Sequence, residues 1–444
     1  MLFVRDLYTN LLAWKKQAKR KPLLIMGARQ IGKTTLLKTF GQQEFANLAY
    51  FNLEENPALH EFFQKQKDPK AIVSQLSLLQ GRNISPSDTL LVLDEIQECP
   101  QALTSLKYFQ ESMPELAVAG AGSLLGISLG KKQSFPVGKV EFLDLFPLTF
   151  AEYLLASNKK LHASYQHFLQ SKEIAPIPIA FFQPLTDAFK EYLLVGGMPE
   201  AASDYLENRS LESTQKIQDH LLRAYQFDFV KHTSNIEAAK IHQVWNTLPS
   251  QLAKENKKFI YKVVKSGARA REYENAIQWL QEAGLIYKVP RLEKPSLPLK
   301  AYEDLTDFKL YAFETGLLMK LAELHPSIFL ESNALFTEFK GSLAENFVAQ
   351  SLRRKYGSSI YYWTSKGTAE LDFIVDHKGQ VIPIEVKSGQ STKAKSMAVY
   401  EKKYSPKIRV RISPLNLHLS NNFLNVPIFY AECIDQLIEK SLSN

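Results

Sequence analysis

A lysine, two threonines and two carboxylates stand at spacings that suit phosphate chemistry. Residues 23–40 read LLIMGARQIGKTTLLKTF. The apolar run Leu23–Met26 predicts a buried strand. Gly27, Ala28, Arg29, Gln30, Ile31 and Gly32 form a loop, and Lys33, Thr34 and Thr35 open an apolar helical pattern. This is G-x4-G-K-T between a strand and a helix. Glycines let the backbone wrap closely, so that its N–H groups point at phosphate oxygens. The positive end of the following helix adds to the attraction. Lys33 is expected at the β and γ phosphates and the Thr34 hydroxyl at Mg2+. A second stretch, TLLVLDEIQ (89–97), predicts a buried parallel strand ending in Asp94-Glu95. Such an end opens onto the ligand crevice. Asp94 is expected to hold the Mg2+ shell through water, and Glu95 to orient and deprotonate the attacking water. ATP and Mg2+ are therefore the expected cofactors.

Another chemical set lies near the C-terminus. TAELDFIVDHKGQVIPIEVKSG (368–389) predicts a β-hairpin turning at His377-Lys-Gly379. Asp372 lies on its first strand, and Glu385 and Lys387 share a face of its second. A long helix, Phe336–Lys355, carries Glu338 and Glu345, and Glu345 can close the group. Three carboxylates around a point make a hard-cation site, and a lysine beside them can polarise a phosphate or activate a water. D-x12-E-x-K is the pattern of the PD-(D/E)xK nuclease fold. Such folds also serve as inactive binding modules, so both cleavage and binding stay open.

The elements that must position these groups predict an α/β multidomain chain. Its 444 residues exceed one core. With 45% hydrophobic and 23% charged residues the composition is that of a globular protein. No apolar run approaches a membrane span, and the first residues lack a signal-peptide layout. Cys99 and Cys433 give no disulfide framework, and the cytoplasm is the expected location. A net charge of +8 leans toward a polyanionic partner.

Alternating strands and helices over 1–155 predict a parallel sheet covered by helices. The expected strands are 46–55, 89–94, 116–125 and VEFLDL (140–145) beside the P-loop strand. Ser123, at the end of the strand next to Asp94-Glu95, either senses the γ-phosphate or is a turn serine. Thr149 and Glu152 read as a capping box. Residues 156–235 predict a helical lid, broken by Gly196-Gly197. Residues 236–330 predict a winged helix, with a hairpin of 285–289 and 299–303. Lys262, Lys265, Arg269 and Arg271 before its third helix can meet phosphates or simply face solvent. Residues 331–444 are the expected nuclease-like domain. Its basic run, Lys387, Lys393, Lys395, Lys402, Lys403, Lys407, Arg409 and Arg411, suits a phosphate backbone or a solvated face.

Taken together these stretches resemble the prokaryotic AAA-family ATPases with a C-terminal domain of unknown function that is nuclease-like. The marks are Arg5, Trp14, GARQIGKTTLL (27–37), LDEIQECP (93–100), SLKYFQE (105–111), GSLLG (122–126) and FPVGKVEFLDLFPLTFAEYL (135–154). VGGMPEA (195–201), FKLYAFETGLL (308–318), GSLAENFV (341–348), ELDF (370–373) and IEVKSG (384–389) follow. Glu314 stands where the family usually shows Asp, with the charge kept. The resemblance implies an AAA-type core, a winged-helix middle and a restriction-endonuclease-like end. It supports Ser123 as a sensor and marks Lys139 for testing. It supplies no physiological substrate. Two functions follow: an ATPase coupled to DNA binding or cleavage, and a non-nucleolytic ATP-dependent switch that binds DNA or a protein. A helicase or translocase is the weaker third reading, since no further helicase-like motifs accompany the first two. Oligomeric state stays open.

Overall fold

The computed structural model describes residues 2–123, 136–231, 233–254, 257–326, 337–365, 367, 369–389 and 395–443. Parts of the GSLLG and FPVGKV stretches, Phe336, the Glu338 side chain, Thr368 and Lys393 lie outside the described residues. The chain forms two compact units. One holds residues 3–147 with 282–284; the other holds residues 1–2, 148–281 and 285–444.

The first unit is built on a parallel sheet. Its strands are β1 (Leu23–Gly27), β2 (Asn47–Asn52), β3 (Thr89–Asp94), β4 (Ala117–Ser123) and β5 (Glu141–Asp144), in the order β2-β3-β4-β1-β5. β1, β3 and β4 are buried along their whole length, as continuous apolar runs require when helices cover both faces. Helices Ala58–Lys65, Pro69–Gln80 and Pro100–Ser112 bring Leu59, Phe63, Ile72, Leu76, Leu106 and Phe109 onto Leu91, Leu93 and Val118. At roughly 25 cal/mol per Å2 of buried apolar surface, each of these large side chains contributes about 2 kcal/mol. The register pairs Gly27 with Ser123, so the end of β4 lies beside the first glycine of the loop.

The second unit begins with helices Phe150–Ser157, Lys159–Gln170, Ile179–Val195, Pro199–Asn208 and Leu211–Lys231. The Thr149–Glu152 capping box forms in both directions. An eight-stranded sheet follows: β6 (Ile286–Leu292), β7 (Glu303–Ala312), β8 (Ile360–Thr364), β9 (Glu370–His377), β10 (Gln380–Val386), β11 (Arg409–Ser413), β12 (His418–Ser420) and β13 (Phe423–Pro427). Its order is β12-β13-β11-β10-β9-β8-β6-β7.

This sheet runs across the expected winged-helix and C-terminal stretches. The hairpin read as a wing is one edge of the same sheet, since β6 pairs in parallel with β8 through Arg291↔Tyr362 and Leu292↔Trp363. The return strand is also displaced. Leu299–Tyr302 is a 3-10 turn, and the strand is Glu303–Ala312. Its charges hid it, and the fold matches them: Arg291 pairs with Asp304 and Asp307, Lys258 with Asp307, and Lys309 with Glu370. Among the described residues no helix is long and apolar enough to cross a membrane.

Glu314 ties the helical part to the sheet. Its fully buried carboxylate accepts from Gly197 N at 2.9 Å, Gly316 N at 3.0 Å and Leu317 N at 2.7 Å. It caps the helix Thr315–Leu321 and holds the Gly196-Gly197 turn at the same time. Gly196 has φ +81°, and a Cβ there would lie 2.9 Å from Glu314 Oε1. Glu314→Ala strands three buried N–H groups and is expected to cost about 3 kcal/mol. Urea unfolding followed by tryptophan fluorescence checks this; a loss under about 1 kcal/mol would count against the clamp.

Candidate functional site

Lys33, Thr34 and Asp94 come together where β1 and β3 end. Gly27 leaves β1 with φ +155°, and a Cβ there would lie 2.3 Å from the Leu145 carbonyl oxygen. Gln30 (φ +62°) and Gly32 (φ +93°) complete the turn into helix Lys33–Glu44. Arg5 braces the loop from outside, donating to Ile31 O at 2.9 Å and Phe146 O at 2.5 Å. Arg29 is half-buried, while Gln30 and Thr35 are exposed.

Lys33 is only 6% exposed. Its ammonium donates to Gly27 O at 3.0 Å and Ala28 O at 2.7 Å. Burial pushes it down to about 8; Glu95 and Asp94 pull it back up, and Arg29 pushes it down. Thr34 Oγ1 donates to Asp94 Oδ2 at 2.6 Å. A hydroxyl and a carboxylate side by side are the hard oxygen donors Mg2+ takes, and a glycine-bounded loop leading into a helix N-terminus can turn backbone N–H groups toward phosphates. The residues present thus fit Mg2+ and a nucleotide triphosphate. Glu95, one residue on, holds the left-handed conformation (φ +48°, ψ +44°) without being glycine. Backbone strain of this kind persists where the surroundings over-determine it.

Two members were not legible in the sequence. Tyr50 on β2 donates to Asp94 Oδ2 at 2.8 Å, and Lys38 lies 3.8 Å from the centre of its ring. Gln97 bridges Glu95 and the Ser123 backbone. The alternation of β2 marks Tyr50 as off the core face, but nothing in it names the partner. Lys139 is engaged by Glu111 at 3.0 Å.

Residues 19–154 match a family model described as an AAA domain. This region is a P-loop domain of the AAA type. Residues 186–327 and 340–429 match two domains of unknown function, DUF8612 and DUF4143. No curated protein matches the chain. Among solved structures it is similar to the Walker-type ATPase PABY2304 of Pyrococcus abyssi, at 14% identity and TM-score 0.43, over 72% of this chain and 96% of that one. RuvB of Thermotoga maritima follows at 13% and 0.31, over 64% and 89%. PCH-2 of C. elegans stands at 12% and 0.27, over 46% and 63%. None of these likenesses is close enough to carry a residue role over to the AAA-type domain.

The second expected site is assembled differently from its forecast. Asp372 and Glu385 do lie on the paired strands β9 and β10, and Glu345 on helix Thr337–Tyr356. Yet among the described residues no three His, Cys, Asp or Glu side chains are grouped to hold a metal ion. Lysines take that place. Lys257 pairs with Glu345 Oε1, Tyr311 donates to Glu345 Oε2 at 3.2 Å, and Lys309 stands 4.0 Å from the same oxygen while pairing with Glu370. Burial raises the Glu345 carboxyl, but Lys257 and Lys309 outweigh it and hold it below the usual range. Asp372 accepts from Val386 N at 2.7 Å. Burial, then Glu345, push Asp372 up to about 7. Two ammoniums, Lys257 and Lys309, thus stand among Glu345, Glu370 and Asp372. Glu385 pairs with Lys387 at 2.9 Å, and its other oxygen is buried without a hydrogen-bond partner.

The missed signal was Lys309, a charge inside the apolar run FKLYAF. The basic run also divides. Arg411 is buried on Asn425 at 2.8 Å and Arg409 pairs with Glu401, whereas Lys395, Lys402, Lys403 and Lys407 are exposed.

Proposed function

We propose that the chain is an ATP-hydrolysing switch whose nucleotide state sets the affinity of residues 148–444 for DNA. The observation that carries the ATPase part is the 2.6 Å contact of Thr34 with Asp94, beside buried Lys33 and next to Glu95. Lys33 exchanges the Gly27 and Ala28 carbonyls for phosphate oxygens. Backbone N–H groups of the loop orient the phosphates, and Glu95 takes a proton from the attacking water. Thr34 and Asp94 would hold Mg2+, which would neutralise charge on the phosphates. The DNA part is supported by Lys262, Lys265, Arg269 and Arg271, all exposed around the start of helix Ala270–Glu282. Neutralising each phosphate releases counterions, so affinity should fall steeply with salt.

Cleavage is the second reading, favoured by the orphaned buried oxygen of Glu385 beside Lys387. Plasmid nicking with Mg2+ or Mn2+, with and without ATP, separates the two. No nicking is expected, together with ATP turnover that Lys33→Ala abolishes. Nicking lost in Lys387→Ala would establish the nuclease instead. Nucleotide-independent DNA affinity, unaltered in an Arg269→Ala/Arg271→Ala variant, would sink the DNA switch and leave a protein partner.

A further inference from the structure

The 3-10 turn Ile96–Glu98 follows Asp94-Glu95 directly and brings Gln97 back over the end of the sheet. Its amide Nε2 donates to Glu95 Oε2 at 2.5 Å. Its Oε1 accepts from the Ser123 backbone N–H at 3.3 Å. Both ends of one half-buried side chain are thus engaged, one on the carboxylate and one on the last residue of β4. The assignment of oxygen and nitrogen is forced by chemistry. A carboxylate only accepts and a backbone N–H only donates, so only this orientation satisfies both.

The turn explains why Glu95 needs such a holder. Its left-handed backbone lies one residue past the end of β3, outside the strand's alternation. Asp94 is held by Thr34, Tyr50 and the Glu95 N–H. For Glu95 the Gln97 amide plays that part. Ser123 in turn pairs in register with Gly27, so the hold on Glu95 is anchored to the strand that flanks the loop.

We infer that Gln97 is the positioning residue for the general base Glu95, setting its carboxylate relative to the phosphate loop through the end of β4. This rests on the ATPase reading above. A base misplaced by about 1 Å can cost on the order of a hundredfold in rate while substrate binding is untouched. Glu95 touches the water; Gln97 acts through Glu95.

The test compares wild type, Gln97→Ala, Gln97→Glu, Glu95→Gln and the Gln97→Ala/Glu95→Gln pair. ATP turnover and affinity for a fluorescent ATP analogue are both measured. Gln97→Ala is expected to lower kcat about 10- to 100-fold with affinity unchanged within about twofold. Gln97→Glu keeps the shape and the acceptor for Ser123 but has no N–H to give Glu95, so it should lose as much. In the Glu95→Gln background Gln97→Ala should cost nothing more, because there is no base left to position. Unchanged kcat in Gln97→Ala, wild-type rates in Gln97→Glu, or the same loss in both backgrounds would each overturn the assignment. A wild type without Lys33-dependent turnover would instead bring down the ATPase reading, and this inference with it.

Discussion

Lys33→Ala is expected to weaken ATP binding by about 100-fold or more and to abolish turnover. The ammonium it removes is almost wholly buried and meets two main-chain carbonyls of the loop. Truncating one partner of a buried, hydrogen-bonded charge pair costs about 2–5 kcal/mol, which is the affinity loss expected. The same burial makes binding sensitive to pH. With its pKa pushed down to about 8, Lys33 is charged below that pH and neutral above it in the unliganded protein. The phosphates require the charged form. Binding must therefore take up a proton once the pH exceeds about 8, and affinity should fall by up to about tenfold per further unit. Titration of a fluorescent ATP analogue at pH 7, 8 and 9 measures this. A flat profile, or full affinity in Lys33→Ala, would undo the assignment of the loop.

Lys309→Met should destabilise the second unit by about 3–5 kcal/mol. The Lys309 side chain is 0% exposed, pairs with Glu370, stands 4.0 Å from Glu345 and lies 5.0 Å from the centre of the Tyr362 ring. Removing it leaves Glu345, Glu370 and Asp372 beside the half-buried Lys257 without this fully buried ammonium. Burial alone would lower the lysine's pKa, but Glu345, Glu370 and Asp372 more than reverse this and hold it well above the usual lysine range. A cation whose folded pKa is raised contributes stability that is complete below its unfolded value and fades only as pH rises through the folded one. At pH 7 the full effect is therefore present, and it persists to about pH 10. Adding Glu370→Gln should recover part of the loss, since one uncompensated charge goes with it. Urea unfolding reports this through Trp245, Trp279 and Trp363, which all lie in this unit. A loss under about 1 kcal/mol, or no recovery in the pair, would show that Lys309 is not the counter-charge of the cluster.

The residue pattern alone picked out the loop and the strand end that the fold brings together at Thr34 and Asp94. G-x4-G-K-T and the strand ending in Asp94-Glu95 are local signals, because the loop, its helix and the acidic strand end are each built from a few consecutive residues. Parallel burial then leaves one way to bring Thr34 to Asp94. The hairpin of β9 and β10, with its turn at Lys378 (φ +51°) and Gly379 (φ +79°), was legible for the same reason. Only the tertiary structure decided what stands around those groups. Gln97 and Tyr50 are ordinary residues until the turn and the β2–β3 register bring them to Glu95 and Asp94. Lys257 and Lys309 come from segments far along the chain from Glu345 and Asp372. A sequence lists ionisable groups without the low-dielectric space they share, and charge balance exists only once that space is enclosed. The same holds for the edge hairpin of β6 and β7. Strand pairing is a long-range choice, and the pairing of Arg291 and Leu292 with Tyr362 and Trp363 joins a stretch that read as a separate wing to the sheet carrying Asp372 and Glu385.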